Sequence, residues 1–132
     1  MELKIDKNKI IDFSKKHHLK LLILHGSYAQ GNATPQSDID IGILSQDKID
    51  WEKYSAILRN FGEIFGDKFD PVFLNNAEPM INYYVALKGK VLFEAAQADF
   101  ANFKIQSIAR YLDTKKFRDL EKQYIKRAVG KE

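Results

Sequence analysis

HGSYAQGNATPQSDIDIGIL, residues 25–44, is the stretch on which the reading of this chain turns. It closes one apolar run, Leu19 to His25, at Gly26, and enters a second, Ile39 to Leu44. Between them lies a loop of turn formers and hydroxyl or amide groups: Gly31, Asn32, Thr34, Pro35 and Ser37. Both runs are short and almost unbroken in apolar residues, the pattern of strands buried on both faces. Asp38 and Asp40 are two apart where the second strand begins. Their side chains therefore leave one face, with Cα atoms roughly 7 Å apart. Two carboxylates so close repel and retain a proton unless a cation lies between them. Oxygen-only ligands favour magnesium, or manganese, over zinc. Two such ions about 4 Å apart are what in-line displacement at phosphorus uses.

At the other end of the loop, Gly26 admits close approach of a phosphate. The amides opening a short helical turn from Ser27 to Gln30 would point at it, and the Ser27 hydroxyl adds a donor. Gly31 is the expected stop of that turn. Asp-x-Asp by itself is common on surface strands, and Gly-Ser is commoner still. Together, with ten residues between them and an apolar strand on each side, they place a phosphate cradle and metal ligands at one cleft.

Working outward, Asp6 caps a first helix through Ile10, Ile11 and Phe13 that ends in the basic Lys15, Lys16, His17, His18. The two histidines are adjacent, point about 100° apart and mark a helix end rather than a shared metal site. Asp50 caps a second long helix with Trp51, Tyr54, Ile57, Leu58, Phe61 and Phe65 at spacings of three and four, stopped by Gly66. Residues 69–74 form a third strand, and Pro71 inside it requires an edge position or a bulge. Pro79 opens a third helix that ends at Gly89, and residues 91–93 add a short strand. From Ala96 onward the pattern is helical, but the step of five from Leu112 to Phe117 breaks the apolar stripe and predicts a kink or two helices. Asp70, in KFDPVFL, is the candidate third carboxylate; the alternative is that it merely opens a turn before Pro71. Tyr83, Tyr84, Tyr111 and Tyr124 are either core residues or a platform for a purine ring.

The 132 residues suit one core, and a hydrophobic fraction of 45% beside 30% charged residues suits a soluble domain. No cysteine is present, which excludes disulfides, thiolate zinc sites and a thiol nucleophile. Met1 to Ile11 is too charged for a signal peptide and no apolar run is long enough to cross a bilayer, so a cytoplasmic protein is expected. The net charge is +3, and from Lys104 to Glu132 nine basic residues stand against four acidic ones. That excess reads as a solvated helix face or as a partner surface. A channel for a nucleic-acid template needs more chain than this, so nucleic acid is not an expected partner.

Through the pattern G-S-x10-D-x-D the chain resembles the minimal nucleotidyltransferases of the DNA polymerase beta-like superfamily, with Gly26, Ser27, Asp38 and Asp40 matching it without a gap. Asp70 falls at that family's third carboxylate, LNNAEP (74–79) is similar to its helix entry, and LKGKVLFE (87–94) to its glycine, hydrophobic, Glu segment. His25 departs from it, standing where the family usually has an aromatic or aliphatic residue. The resemblance implies an α/β fold, a small mixed sheet with helices packed mainly on one face. Residues 1–132 would make one domain, with 96–132 a C-terminal helical segment. Asp38, Asp40 and Asp70 would be catalytic and would hold two Mg2+ (or Mn2+) ions, and Gly26, Ser27 and Ser37 would bind the nucleotide. Relatives this short commonly act as antitoxins to a HEPN-domain ribonuclease toxin, transferring AMP from ATP to a toxin tyrosine. Two other functions compete: adenylyl transfer to a small molecule such as an aminoglycoside, and blockade of a toxin by binding alone through the aromatic, basic C-terminal region.

Overall fold

Asp6 and Asp50 each accept a hydrogen bond from the amide three residues on, Lys9 N at 3.2 Å and Lys53 N at 2.8 Å. These caps start α1 (Lys7–Lys16) and α3 (Trp51–Phe65) in a computed structural model that describes residues 2–130. Met1, Lys131 and Glu132 lie outside the described residues, the last two being part of the basic stretch counted above. The remaining elements are β1 (Leu19–His25), α2 (Ser27–Gln30), β2 (Ile39–Ser45), β3 (Phe69–Phe73), α4 (Pro79–Lys88), β4 (Lys90–Glu94) and α5 (Asp99–Gly130).

The four strands form one mixed sheet in the order β3-β2-β1-β4. The β2–β3 pair is parallel, with α3 in its crossover, and the other two pairs are antiparallel. Pro71 lies on β3, an edge strand, where its missing N–H costs no ladder bond. The mixed sheet and its flanking helices are as expected, but the helices are not gathered mainly on one face. Ile10 of α1 and Ile57, Phe61 and Phe65 of α3 pack on Leu19, Leu22, Leu24, Ile39, Ile41 and Ile43. Val85 and Ala86 of α4 and Phe103 of α5 cover Leu21 and Ile23 on the other face. The cause is β1 itself, apolar on both sides, so each face needs a cover.

The segment after β3 is clasped to the sheet. Ser45 N donates to Asn75 Oδ1 at 2.8 Å and Asn75 Nδ2 returns a bond to Ser45 O at 3.0 Å, extending the ladder by a side chain. Asn82 Nδ2 donates to Leu74 O at 3.1 Å and ties α4 to the same turn. At the far end of α4, a Cβ on Gly89 would overlap the Ile23 side chain, so glycine allows the helix to end against β1.

α5 is one continuous helix of 32 residues, about 48 Å long, and not a kinked or divided one. Residues 112–117 contain neither Pro nor Gly to break the ladder, and Arg118 Nη1 bonds Thr114 Oγ1 at 2.7 Å across the suspect turn. The broken stripe marks instead where the helix leaves the body, because every residue from Asp119 to Gly130 is exposed.

Phe61 is fully buried, its ring edge-on to Phe13 at 6.0 Å. Phe61→Ala is expected to lower the unfolding free energy by about 3–5 kcal/mol, seen as a lower urea midpoint with an unchanged slope. A loss below about 1 kcal/mol would contradict its central place in the core.

Candidate active site

The site forms at the end of the sheet where β1 finishes and β2 begins. Strand register does the positioning: Asp40 stands opposite Asp70 on one side and opposite His25 on the other. Directly paired residues point to one face, so the three side chains form a row across β3, β2 and β1. Paired Cα atoms on neighbouring hydrogen-bonded strands are about 5 Å apart, which brings the carboxyl groups of Asp40 and Asp70 into contact. Asp38 precedes β2 by one residue and is exposed at the mouth of the row.

Burial, followed by a side-chain hydrogen bond shared with Asp70 and the charges of Asp70 and Asp38, pushes the Asp40 carboxyl up to about 6. The carboxyl that hydrogen-bonds Asp40 is that of Asp70 on the neighbouring strand, while Asp38, the neighbour that sequence spacing pairs with it, acts through its charge alone. For His25, burial lowers the imidazole pKa, and the Asp70 charge opposes that shift. His25 Nε2 is buried with no hydrogen-bond partner.

Gly26 turns the chain from β1 into α2 with φ +69°, and a Cβ there would overlap the Asp40 carboxylate. Glycine is required on both counts, since a left-handed backbone and a contact this close each exclude a side chain. The amides of Ala29 and Gln30 both bond Gly26 O at 3.1 Å, which leaves those of Ser27 and Tyr28 at the open end of the turn. Gly31, with φ +79°, stops it.

The structure therefore brings together Gly26, Asp40 and Asp70, with Ser27 following Gly26 and Asp38 at the rim. Ser37 is engaged within its own loop, where Oγ accepts from Thr34 N at 2.8 Å and lies 3.3 Å from Thr34 Oγ1. Among the described residues no group of three acidic or histidine side chains is drawn into a ready cation cage. The Asp40 and Asp70 carboxyl groups that do meet supply only oxygen donors, a donor type that suits a hard divalent cation.

Several polar and aromatic side chains have structural roles away from the acids, His17 among them as the helix end that the sequence predicts. His17 is buried at the end of α1 with Nε2 2.6 Å from Asn60 Nδ2, a structural pairing. Tyr83 and Tyr111 stack on each other at 4.0 Å and fasten α4 to α5, so neither is a free platform for a base. Glu94 Oε2 accepts from Phe100 N at 2.8 Å, next to the start of α5. The place of His25 beside Asp40 escaped the sequence reading because only the β1–β2 register creates it.

A mixed sheet with paired carboxyl groups at one end, against a glycine turn with open backbone amides, is an arrangement suited to phosphate-linked groups. The chain belongs to the polymerase beta nucleotidyltransferase family, whose model ("Polymerase beta, Nucleotidyltransferase") matches residues 8–98. It is similar to the protein adenylyltransferase MntA of Aphanizomenon flos-aquae, 35% identical over 78% of this chain and 75% of that protein. It is likewise similar to the protein adenylyltransferase MntA of Shewanella oneidensis, at 31% identity over 81% and 78% of the two chains. Among solved structures, a chain from a toxin–antitoxin crystal structure with AMP-PNP superimposes with a TM-score of 0.77 and 28% identity, over 92% of this chain and 98% of that one. A chain from the complex of tri-AMPylated Shewanella oneidensis HEPN toxin with MNT antitoxin does so with a TM-score of 0.70 and 26% identity, over 90% and 94%. Among the described residues no helix is long and apolar enough to cross a membrane.

The folded chain holds the Asp40 proton to higher pH than the unfolded chain does. That contribution to stability is complete below the ordinary value of 3.8 and is lost as pH rises through about 6. In metal-free buffer, Asp40→Asn is therefore expected to melt above the wild type at about pH 7.5, with the gap closing toward about pH 4. A gap that does not change with pH would contradict the shared proton.

Proposed function

We propose that this nucleotidyltransferase transfers AMP from ATP to a hydroxyl, most simply a tyrosine, of a HEPN-type ribonuclease toxin and so acts as its antitoxin. The observation that carries the chemistry is the register that sets Asp70 beside Asp40 against the Gly26 turn. The support for the acceptor is the likeness to two protein adenylyltransferases and to antitoxin chains crystallised with their toxins. We read the chain as one minimal catalytic domain that works in the cytoplasm.

In this reading the amides of Ser27 and Tyr28 and the Ser27 hydroxyl bind the triphosphate, and Gly26 keeps the backbone close enough to reach it. Ser37 acts on the nucleotide indirectly, by holding the loop that delivers Asp38. Asp38, Asp40 and Asp70 would hold two divalent ions, Mg2+ or Mn2+, which when bound supply charge neutralisation at the pyrophosphate and acidify the acceptor hydroxyl. The acceptor hydroxyl passes its proton to the Asp70 carboxylate as its oxygen bonds to the α-phosphorus, the bond from that phosphorus to the bridging oxygen breaks, and pyrophosphate leaves with the electron pair. Asp70, exposed on the edge strand and hydrogen-bonded to Asp40, orients the incoming hydroxyl.

Asp38→Asn or Asp40→Asn is expected to reduce transfer of label from α-32P-ATP to the toxin by at least about 1,000-fold, because each removes a charge from the ion site. Chelation of divalent ions should have the same effect. Magnesium-ATP at 100 times its dissociation constant should stabilise the wild type by about 2.7 kcal/mol. Undiminished labelling by either variant would refute the assignment.

A further inference from the structure

Between the first turns of α5 and the end of the sheet away from the acids lies a cavity of about 400 Å³, the size of a small-molecule site. Leu44, Leu74 and Phe103 supply its apolar lining, and Asn82 of α4 reaches it as well. Leu44 is four residues beyond Asp40 on β2, roughly 13 Å, and the side chains of Leu74 and Val85 pack over Gly42 between them. The cavity is therefore separate from the row of acids. In α5, Asp99, Phe103, Gln106 and Arg110 recur at spacings of four, three and four, with Ser107 four beyond Phe103, so they share the face turned to the sheet. Such a face is normally apolar, and here only Phe103 is. Ser107 is 4% exposed and Asn82 6%. Asn82 donates Nδ2 to Leu74 O at 3.1 Å, and its buried Oδ1 has no partner. Two cations reach the same space, and neither Lys20 nor Arg110 is in an ion pair among the described residues. Asp99 is the one acid of the lining, its Oδ2 accepting from Ala96 N at 2.8 Å.

We propose that this cavity binds a small hydroxylated organic phosphate, the monophosphate of a sugar or of a nucleoside, at a site of its own. Charge selects the anion. The lining carries two positive groups and one negative, and a phosphate monoester brings nearly two negative charges with three acceptor oxygens for the Lys20 ammonium and the Arg110 guanidinium. The remaining hydrogen-bonding capacity selects the hydroxyls. Asn82 Oδ1 and the Asp99 carboxylate are acceptors, which a ligand satisfies only with donors of its own. Leaving the enclosed amide oxygen unpaired costs free energy, and a ligand hydroxyl recovers it. A divalent cation fits poorly where a single carboxylate stands beside two cations. A wholly apolar ligand would take water from both cations and return no bond.

The test is calorimetric titration of the full chain with ribose 5-phosphate and with AMP in buffer containing a chelator. At least one of the two should bind saturably with a dissociation constant below about 1 mM. Lys20→Gln with Gln106→Glu should weaken that binding at least about tenfold, because it removes one cation from the cavity and adds an acid. Both replaced side chains are exposed, so the melting temperature should match the wild type. Lys115→Gln with Gln123→Glu makes the same charge change on the outer part of α5 and should alter affinity by less than about threefold. Asp38→Asn with Asp40→Asn should bind as the wild type does, which separates this cavity from the carboxylate site and from the fate of the transfer reaction. Tighter binding of AMP than of ribose 5-phosphate would identify the nucleoside monophosphate as the ligand class, and equal binding the sugar phosphate. The proposal is overturned if neither probe saturates, if the Lys20/Gln106 variant binds as well as the wild type, or if the Asp38/Asp40 variant loses binding. Inorganic phosphate binding as tightly as either ester would also overturn it, since the hydroxyl groups would then contribute nothing.

Discussion

The Asp40 carboxylate is pressed between the backbone of Gly26 and the carboxyl of Asp70, and the character of the site follows from that crowding. A carboxylate in open water would ionise freely. Here partial burial, a shared hydrogen bond and two neighbouring acids hold its proton up to about 6. Such a pair costs stability at neutral pH unless a positive charge offsets it. No side chain other than hydrogen fits at position 26, because the turn needs φ +69° and the Asp40 carboxylate fills the space a Cβ would take.

The body of the protein serves to hold that arrangement rigid. β1 and β2 are central strands with apolar side chains on both faces, and helices seal each face. A sheet so enclosed has little freedom to slip, since a shift of one residue would turn Ile39, Ile41 and Ile43 outward and bring Asp40 into the core. The Asn75 clasp and the Asn82 bond secure the chain as it leaves β3, the strand that delivers Asp70. His25 completes the row across three strands, its ring half-buried beside the two acids.

α5 obeys a different logic. Its first turns are part of the core through Phe103 and Ser107, and Arg110 Nη1 bonds Ala77 O at 3.1 Å near the entry to α4. Its last turns, Asp119 to Gly130, are exposed throughout and carry Leu120, Tyr124, Ile125 and Val129 beside several charged residues. A helix of that length without tertiary packing is marginal in water.

Much of this was legible in residue order. Caps at Asp6 and Asp50, stops at Gly31, Gly66 and Gly89, the edge strand marked by Pro71 and the carboxylates at 38 and 40 are local signals, written in residues a few positions apart. The candidate site residues Gly26, Ser27, Asp38 and Asp40 lie within fifteen consecutive positions, so their pattern is visible in the sequence. What local pattern does not contain is register and cover. Asp70 lies thirty residues from Asp40, and whether it joins it or only opens a turn depends on how β3 pairs with β2. The same holds for His25 against Asp40, for helices on both faces of the sheet instead of mainly one, and for a broken stripe that proved to be the exit of a straight helix. Sequence by itself determined the elements and the chemistry of the side chains, because propensity, capping and periodicity act over a few residues. Only the tertiary structure decided which acids meet and which apolar faces remain uncovered, because those outcomes depend on contacts between segments that the chain order holds far apart.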